Sequence, residues 1–516
     1  MASALAWALA LLTLAGVSQG AAPNDPFASS AGSWSQDYAD QWALDSLRVY
    51  SDAASTFGSG QAEPSTIVAV IDTGVDYTHQ DLAAARLWRN PREEDNGYDD
   101  DGNGFIDDLI GWNFVEGNNN PWDHSGHGTH IAGIIAACTD NGLGIAGVDG
   151  NARIMPLKVA NFTGQARSSA VAAAIYYAVD QGARVINLSL GSELVTELEI
   201  AAAEYAADKD VLIVVSAGNR GLSTANSGYA SLPGVLVVGA SDPSGGRAGF
   251  SNFGDRLAVL APGVEVLSLR AEDTDFVGLS DPLDYDEGAA FVGDKDAYYR
   301  ASGTSFSAAM VSGLASRLLA NRPTLDAAAV RRILEQSAID VGEPGVDQLS
   351  GYGRVDYVRA LAAAPEDFIH ARLTGVELSL ADETIWLAIE GRADAQRFAS
   401  ATLSVRAAPG SLPEPDPAAE KEAKKKKKKQ GDKTSDPSPF EWQPYGEPIS
   451  GPVSDGVLAN LDLDTLTQLT GGASAWELKL IVADENGSTR EARLSMALPA
   501  QALPGLEPEV EPEAGP

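Results

Sequence analysis

The stretch TIVAVIDTG, residues 66–74, runs through five consecutive apolar residues, Ile67–Ile71, and stops on Asp72, Thr73 and Gly74. A run that is apolar on both faces and ends in turn residues suits a strand buried inside a parallel sheet. RVINLSLGS (184–192), VLIVVSAGN (211–219) and GVLVVGASD (234–242) repeat the pattern. Between them lie helix-length segments such as SSAVAAAIYYAVDQGA (168–183) and ELEIAAAEYAADKD (197–210). Strand and helix in alternation from Ser65 to about Ala364 predict an α/β fold, a parallel sheet covered by helices on both faces. Functional residues of such sheets gather at the carboxyl ends of strands, which singles out Asp72 and Asn219.

The composition narrows the partners. The chain carries 72 Asp+Glu against 36 Lys+Arg, a formal charge of −36. Phosphates would be repelled at every approach, so nucleic acid is not an expected partner. The excess of carboxylates favours sites for a hard cation. MASALAWALALLTLAGVSQG (1–20) is apolar to Val17 and then small and polar, and reads as a secretory signal cleaved before Ala21. A secreted or extracytoplasmic protein follows. No later run reaches the ~20 apolar residues of a membrane span, so none is expected. The single cysteine, Cys138, lies in an Ala-rich stretch and reads as a small core residue.

Beyond Ala364 the pattern changes. IWLAIEGRA (385–393), FASATLSVRA (398–407) and WELKLIVADENGSTREARLSMAL (476–498) alternate, with DENG (484–487) as a hairpin turn. Residues 365–500 are therefore expected to form an all-β sandwich. Its interruption at 412–439 contains six consecutive lysines and flanking prolines and reads as a disordered insertion. The acidic end, 501–516, reads as disordered as well.

DHSGHGTHIAGI, residues 123–134, holds three of the five histidines. A zinc helix of the H-E-x-x-H kind needs ligands four apart and a glutamate between them. Here the spacing is three and Ser, Gly and Thr intervene, so a single catalytic base is the better reading. That base needs a carboxylate, a nucleophile and an oxyanion donor. Asp72 stands at a strand end beside Gly74, which leaves room for a close neighbour. Ser305 follows Gly303 and Thr304 in ASGTSFSAAMVSGLASRLL, where a helix would begin and favour developing negative charge. Asn219 carries an amide NH₂ suited to an oxyanion.

Taken together, IDTG, HGTH, AGN and GTS, in the order Asp…His…Ser, resemble the subtilisin-like serine proteases over roughly residues 34–364. The resemblance implies peptide-bond hydrolysis, with Ser305 as nucleophile, His127 as general base, Asp72 as its orienting carboxylate and Asn219 as oxyanion donor. It implies that Ser189, Leu190 and Gly191, with Ser216, Ala217 and Gly218, flank an extended polypeptide substrate and line its first specificity pocket. His124 and His130 become structural neighbours, and His79 and His370 have no motif partner. Residues 21–64 look like the N-terminal strap of a peptidase domain spanning 21–364, not an inhibitory propeptide. Family members commonly carry proline four residues after the nucleophile; Ala309 stands there. The β region is similar to Ig-like or fibronectin-like modules of bacterial exoenzymes and is the expected element for surface or substrate contact. A rival reading, a catalytically silent binding protein on the same scaffold, gives no chemical reason to keep all four site residues.

Two features are expected to hold structural calcium. DDDGNGFIDD places Asp99, Asp101, Asn103 and Asp107 at positions 1, 3, 5 and 9 of a calcium loop, with Gly104 at the sharp turn and Ile110 where position 12 needs Glu. The resemblance adds a second site at Asp81 and Asn141, completed by backbone carbonyls near Leu143 and Ile145.

Overall fold

The computed structural model describes residues 23–50, 65–82, 84–192, 194–275, 289–381, 384–412 and 438–497. The expected signal segment, most of the Lys-rich insertion and the acidic tail lie outside them. These residues divide into two compact units. One runs through Phe253 and adds Leu257–Ile339 and Arg354–Ala363; the other takes Gly254–Arg256, Asp340–Gly353 and the chain from Ala364.

The first unit is built on seven strands: β1 (Ile67–Asp72), β2 (Trp112–Asn113), β3 (Arg153–Lys158), β4 (Val185–Leu188), β5 (Leu212–Ser216), β6 (Leu236–Ser241) and β7 (Val259–Pro262). They pair in parallel in the order β2-β3-β1-β4-β5-β6-β7. Every residue of β4 to β7 is buried, which is why these segments are apolar on both faces. Helices Ser168–Asp180 and Glu197–Asp208 form where the sequence predicted them. The first buries Val171, Ala174, Ile175 and Ala178, the i, i+3, i+4, i+7 stripe of a helix lying on a sheet. A smaller antiparallel sheet joins β8 (Val266–Leu269), β9 (Phe291–Val292) and β10 (Tyr298–Ala301) in the order β8-β10-β9.

Two buried helices carry the site. His127–Ala136 is buried along its whole length, and Thr304–Asn321 is buried from Thr304 through Leu319. Ala309 sits inside the second helix with no solvent exposure, a position alanine fills without strain. Two glycines let the elements meet. A Cβ on Gly74 (φ +110°) would lie 2.5 Å from the Pro121 carbonyl oxygen, and one on Gly128 would lie 2.1 Å from that of Gly74. A side chain on Gly128 would push the His127 helix off the end of β1, and one on Gly74 would displace the Pro121–Trp122 backbone that leads into it.

The second unit holds two antiparallel sheets. One is β11 (Ile369–Ala381), β12 (Thr384–Ala395) and β15 (Val453–Asp462); the other orders β14 (Gln443–Ile449), β13 (Phe398–Ala407), β16 (Ala475–Asp484) and β17 (Thr489–Ala497). Burial alternates along β12 and β16, placing Leu387, Ile389, Trp476, Leu478, Leu480 and Val482 inside. The DENG turn forms as expected, with Gly487 at φ +83° and its N–H donating to the Asp484 carbonyl at 3.0 Å. One helix, Leu463–Leu469, stands where the sequence suggested only strands. The Asp462 side chain ends β15 and caps that helix through the Thr465 N–H at 2.7 Å.

Candidate active site

The carboxyl ends of β1, β4 and β5 lie on one edge of the parallel sheet, and the amino ends of the two buried helices face them. Asp72, the last residue of β1, has no solvent exposure. Its Oδ1 lies 2.7 Å from His127 Nδ1 and also accepts the Thr73 N–H at 2.7 Å. His127 opens its helix and is 7% exposed. Burial pulls its imidazole down, but the Asp72 carboxylate, by charge and by hydrogen bond, and the charge of Asp123 outweigh burial. The group ends above the ordinary histidine value.

Ser305 is the second residue of its helix and 6% exposed. Its carbonyl accepts a hydrogen bond from the Ser189 hydroxyl at 3.1 Å, and Ser189 is oriented in turn by the Asn187 amide at 2.9 Å. Asn219 is fixed through its oxygen: Oδ1 accepts from Thr304 N–H and Thr304 Oγ1, both at 2.8 Å. An amide held by its oxygen presents its NH₂ on the opposite edge. Thr304 Oγ1 accepts the Gly218 N–H at 3.0 Å, which ties this segment to the same helix end.

His127, Ser305 and Asn219 line a single cleft of about 430 Å³ with Ser189, Leu190, Gly191, Ser216 and Gly218. Asp72 and Ala217 do not line it. Asp72 lies behind His127, and Ala217 is held by its N–H to Val238 and by the Asn252 amide on its carbonyl. Ser125 and Thr73 complete the wall on the histidine side.

The other histidines separate cleanly. His130 is fully buried, its Nε2 3.0 Å from the Tyr299 carbonyl and its ring 4.4 Å from that of Phe306. Burial and then the proximity of His127 push its pKa down to about 3, so it stays neutral. His124 is exposed. His79 accepts the Asp81 N–H on Nδ1 and sets Nε2 2.9 Å from the Ala297 carbonyl, and His370 bonds the Tyr352 hydroxyl at 2.8 Å.

Asp123 carries more than the motif suggested. Its Oδ1 accepts from Thr73 Oγ1, Ser125 N–H and Gly126 N–H, and its Oδ2 from the N–H and hydroxyl of Thr129, all at 2.8–2.9 Å. It thereby satisfies two of the amides at the start of the His127 helix, those of Gly126 and Thr129. Its place four residues before His127 was the sequence signal.

The acidic loop does turn sharply at Gly104 (φ +93°). Its converging carboxylates are Glu93, Asp101 and Asp108, one oxygen of each within 4.8 Å of the others. Asp101 is thus in the cluster. Asp99 instead braces the turn by accepting Asn103 N–H (3.1 Å) and Gly104 N–H (2.8 Å), and Asp107 accepts the Asn96 and Gly97 amides. Asn103 reaches the cluster through its amide, 2.9 Å from Asp108. Burial pushes Asp108 up against the hydrogen bonds of Tyr177, Asn90 and Asn103, and the charge of Asp101 adds to the rise. At the second site Asn141 donates to Asp81 at 2.7 Å, and the Ile145 N–H does so at 2.9 Å. Asp25, fully buried, accepts the Asp140 and Asn141 amides; burial and then the charge of Asp81 raise its pKa against those bonds. Nothing local in the sequence marked Asp25, because its neighbours come from a distant loop.

Comparisons with known proteins bear on the family of the chain. The sequence model of Peptidase S8, the subtilase family, matches residues 63–353. The thermophilic serine proteinase of Bacillus sp. (strain AK1) is 36% identical over 295 residues, 57% of this chain and 61% of that protein. The cell wall-associated protease of Bacillus subtilis is 34% identical over 336 residues, 61% of this chain and 33% of that protein. Thermitase of Thermoactinomyces vulgaris is 31% identical over 331 residues, 64% and 94% of the two chains. A solved structure described as a lanthipeptide protease superposes with a TM-score of 0.51 at 26% identity, covering 67% of this chain and 98% of that one. With the family model spanning more than half of its length, and a parallel sheet that brings the four motifs to one edge, the chain belongs to the subtilase family.

Proposed function

We propose that the protein is a secreted serine endopeptidase in which Ser305, His127, Asp72 and Asn219 carry the chemistry. The observation that carries this reading is the 2.7 Å Asp72–His127 contact behind a cleft that Ser305 and Asn219 also line. Asp72 holds the proton on Nδ1, which leaves Nε2 of the neutral ring as the base. Ser305 Oγ attacks the scissile carbonyl carbon while Nε2 takes its proton. Negative charge moves to the carbonyl oxygen, where the Asn219 NH₂ and the Ser305 backbone N–H receive it. The C–N bond then breaks as the imidazolium returns the proton to the leaving amine. Water, activated by the same base, releases the acyl group from Ser305. The segments Ser189–Gly191 and Ser216–Gly218 are assigned to the extended substrate chain on either side of the first specificity pocket.

Calcium is assigned to two places, Glu93–Asp101–Asp108 and Asp25–Asp81–Asn141. The first gathers three carboxylates, and the second sets the buried Asp25 and Asp81 beside the exposed Asn141. A hard cation would relieve the carboxylate repulsion and, when bound, would supply cross-linking of loops. Among the described residues no helix is long and apolar enough to cross a membrane. Secretion rests on the apolar segment 1–20, and the C-terminal β unit is assigned to surface or substrate contact. A fluorophosphonate probe tests the central claim: it labels the purified protein at Ser305 and fails on Ser305→Ala. Labelling that survives this substitution, or absent labelling of a protein that binds peptides, favours the silent scaffold instead.

A further inference from the structure

Three buried charges surround one residue beside the site. Thr73 donates its N–H to Asp72 Oδ1 (2.7 Å) and its hydroxyl to Asp123 Oδ1 (2.9 Å), and that hydroxyl accepts the Gly128 N–H (3.0 Å). Its carbonyl accepts Lys158 Nζ at 2.6 Å. Lys158 is the last residue of β3, in register with Asp72 on β1, and is 3% exposed. A lysine this buried needs nearby negative charge, and two fully buried carboxylates so close together need a cation. The peptidase reading uses the carboxylates and leaves the ammonium without a role.

We propose that Lys158 is a positioning residue: its ammonium holds the Thr73 carbonyl, offsets Asp72 and Asp123 together, and sets the pH at which His127 becomes a competent base. The charged groups around this arrangement are few. Asp72 comes from β1, Asp123 from the loop before the helix, Glu116 from the loop after β2, and the neutral His130 from the helix itself. The helix that bears Ser305 contributes the uncharged Phe306 ring, 5.9 Å from His127. Burial draws Lys158 below its ordinary value while Asp123, Glu116 and Asp72 pull it back, as a charge held in place by its neighbours should behave.

This inference rests on the peptidase reading, and its test separates the two. Lys158→Gln keeps a donor for the Thr73 carbonyl without the charge, and Lys158→Met removes both. Removing the positive charge that lies against Asp72 and Asp123 leaves more of their field on His127 and makes it easier to protonate. In both variants the acid limb of kcat/KM on a peptide substrate should therefore move up by roughly half to one pH unit. A ¹⁵N titration of the His127 ring should move by the same amount, independently of turnover. The Met variant should also melt lower than the Gln variant. If the parent hydrolyses peptides and neither the limb nor the titration moves upward, Lys158 is only packing and the proposal fails. Should both variants be too unstable to assay at 25 °C, repeating the measurement at 10 °C gives the same two outcomes. A parent with no hydrolysis at all would overturn the peptidase reading, while the ring titration would still decide the role of Lys158.

Discussion

Two regions of the first unit concentrate buried carboxylates, and both hold them by hydrogen bonds; they differ in the cation that accompanies them, a buried lysine in one and an exposed arginine in the other. Around Asp72 and Asp123 the carboxylates are met from within the chain by amides at the start of a helix, by Thr73 and by His127, with the Lys158 ammonium buried beside them on the Thr73 carbonyl. Asp72 Oδ2 is buried without a hydrogen-bond partner. In the loop from Glu93 to Asp108, eight of sixteen residues are acidic. There Glu93, Asp101 and Asp108 converge: backbone amides of Asp100, Asp101 and Asp107 donate to Glu93, and Asn90, Asn103 and Tyr177 donate to Asp101 or Asp108. The cation paired with the cluster, however, is Arg92, 3.1 Å from Asp101 and more than half exposed. A region that answers its own charges is prepared for proton transfer, since its field does not depend on an outside ion. Three converging carboxylates beside one exposed arginine keep an excess of negative charge, which the proposed cation would relieve.

The comparison breaks most visibly at the nucleophile. Ser305→Ala removes the hydroxyl proposed to attack from a buried position with little change in volume, so the fold and the carboxylate network should persist while kcat falls about 10⁶-fold, the scale known for subtilisin. Single-turnover assays with a circular-dichroism control check both halves. Asp72→Asn comes next. It keeps the shape but loses the charge that orients Nδ1–H, and kcat should fall about 10⁴-fold. The residual activity carries a second signature. Burial already draws His127 down, and removing the Asp72 charge takes away the larger of the two carboxylate pulls that oppose it, so the acid limb of kcat/KM should move to lower pH. An unchanged limb would mean that Asp72 does not set the base. Asn219→Ala should cost about 10²–10³ in kcat with KM little changed, the range for one oxyanion donor in subtilisin, because that donor acts chiefly in the transition state. A loss confined to KM would place Asn219 in ground-state binding.

The legibility of the two regions differs for a physical reason. The four motif residues stand where a strand ends or a helix begins, and such breaks are local in the sequence. The β4, β5 and β6 runs were equally readable, because full burial demands apolar residues on both faces. β3 carries a weaker signal, since Pro156 interrupts its apolar run and proline usually argues against an interior strand. Here the neighbour on that side, β2, is only two residues long and pairs with Leu157 and Lys158, so the proline N–H is not missed. Lys158 was invisible as a partner of Asp72, because only the β1–β3 register sets them side by side. In the acidic loop, counting from Asp99 put Asp107 at the ninth position. The chain instead folds back so that Glu93, which precedes the motif, closes the cluster, while Asp107 secures the Asn96–Gly97 turn.

The smallest expected effect lies in that loop and separates its two kinds of carboxylate. If the cluster binds calcium, stabilisation follows mass action, about 2.7 kcal/mol at a free concentration a hundredfold above Kd. For a unit of this size that is a melting shift on the order of 5 °C. Chelation should lower Tm and speed autolysis, and added calcium should restore both. Asp101→Asn, inside the cluster, should remove most of this response, because it deletes one of three converging charges. Asp99→Asn should lower Tm with and without calcium alike, since its oxygens hold the Asn103 and Gly104 amides and not the cluster. The calcium response left in Asp101→Asn belongs to Asp25, Asp81 and Asn141, and Asp81→Asn in the same background should abolish it. If Asp101→Asn and the parent shift equally with calcium, the loop is an acidic surface that tolerates its own repulsion. The contrast with the self-compensated charges beside His127 would then be one of solvent exposure and not of function.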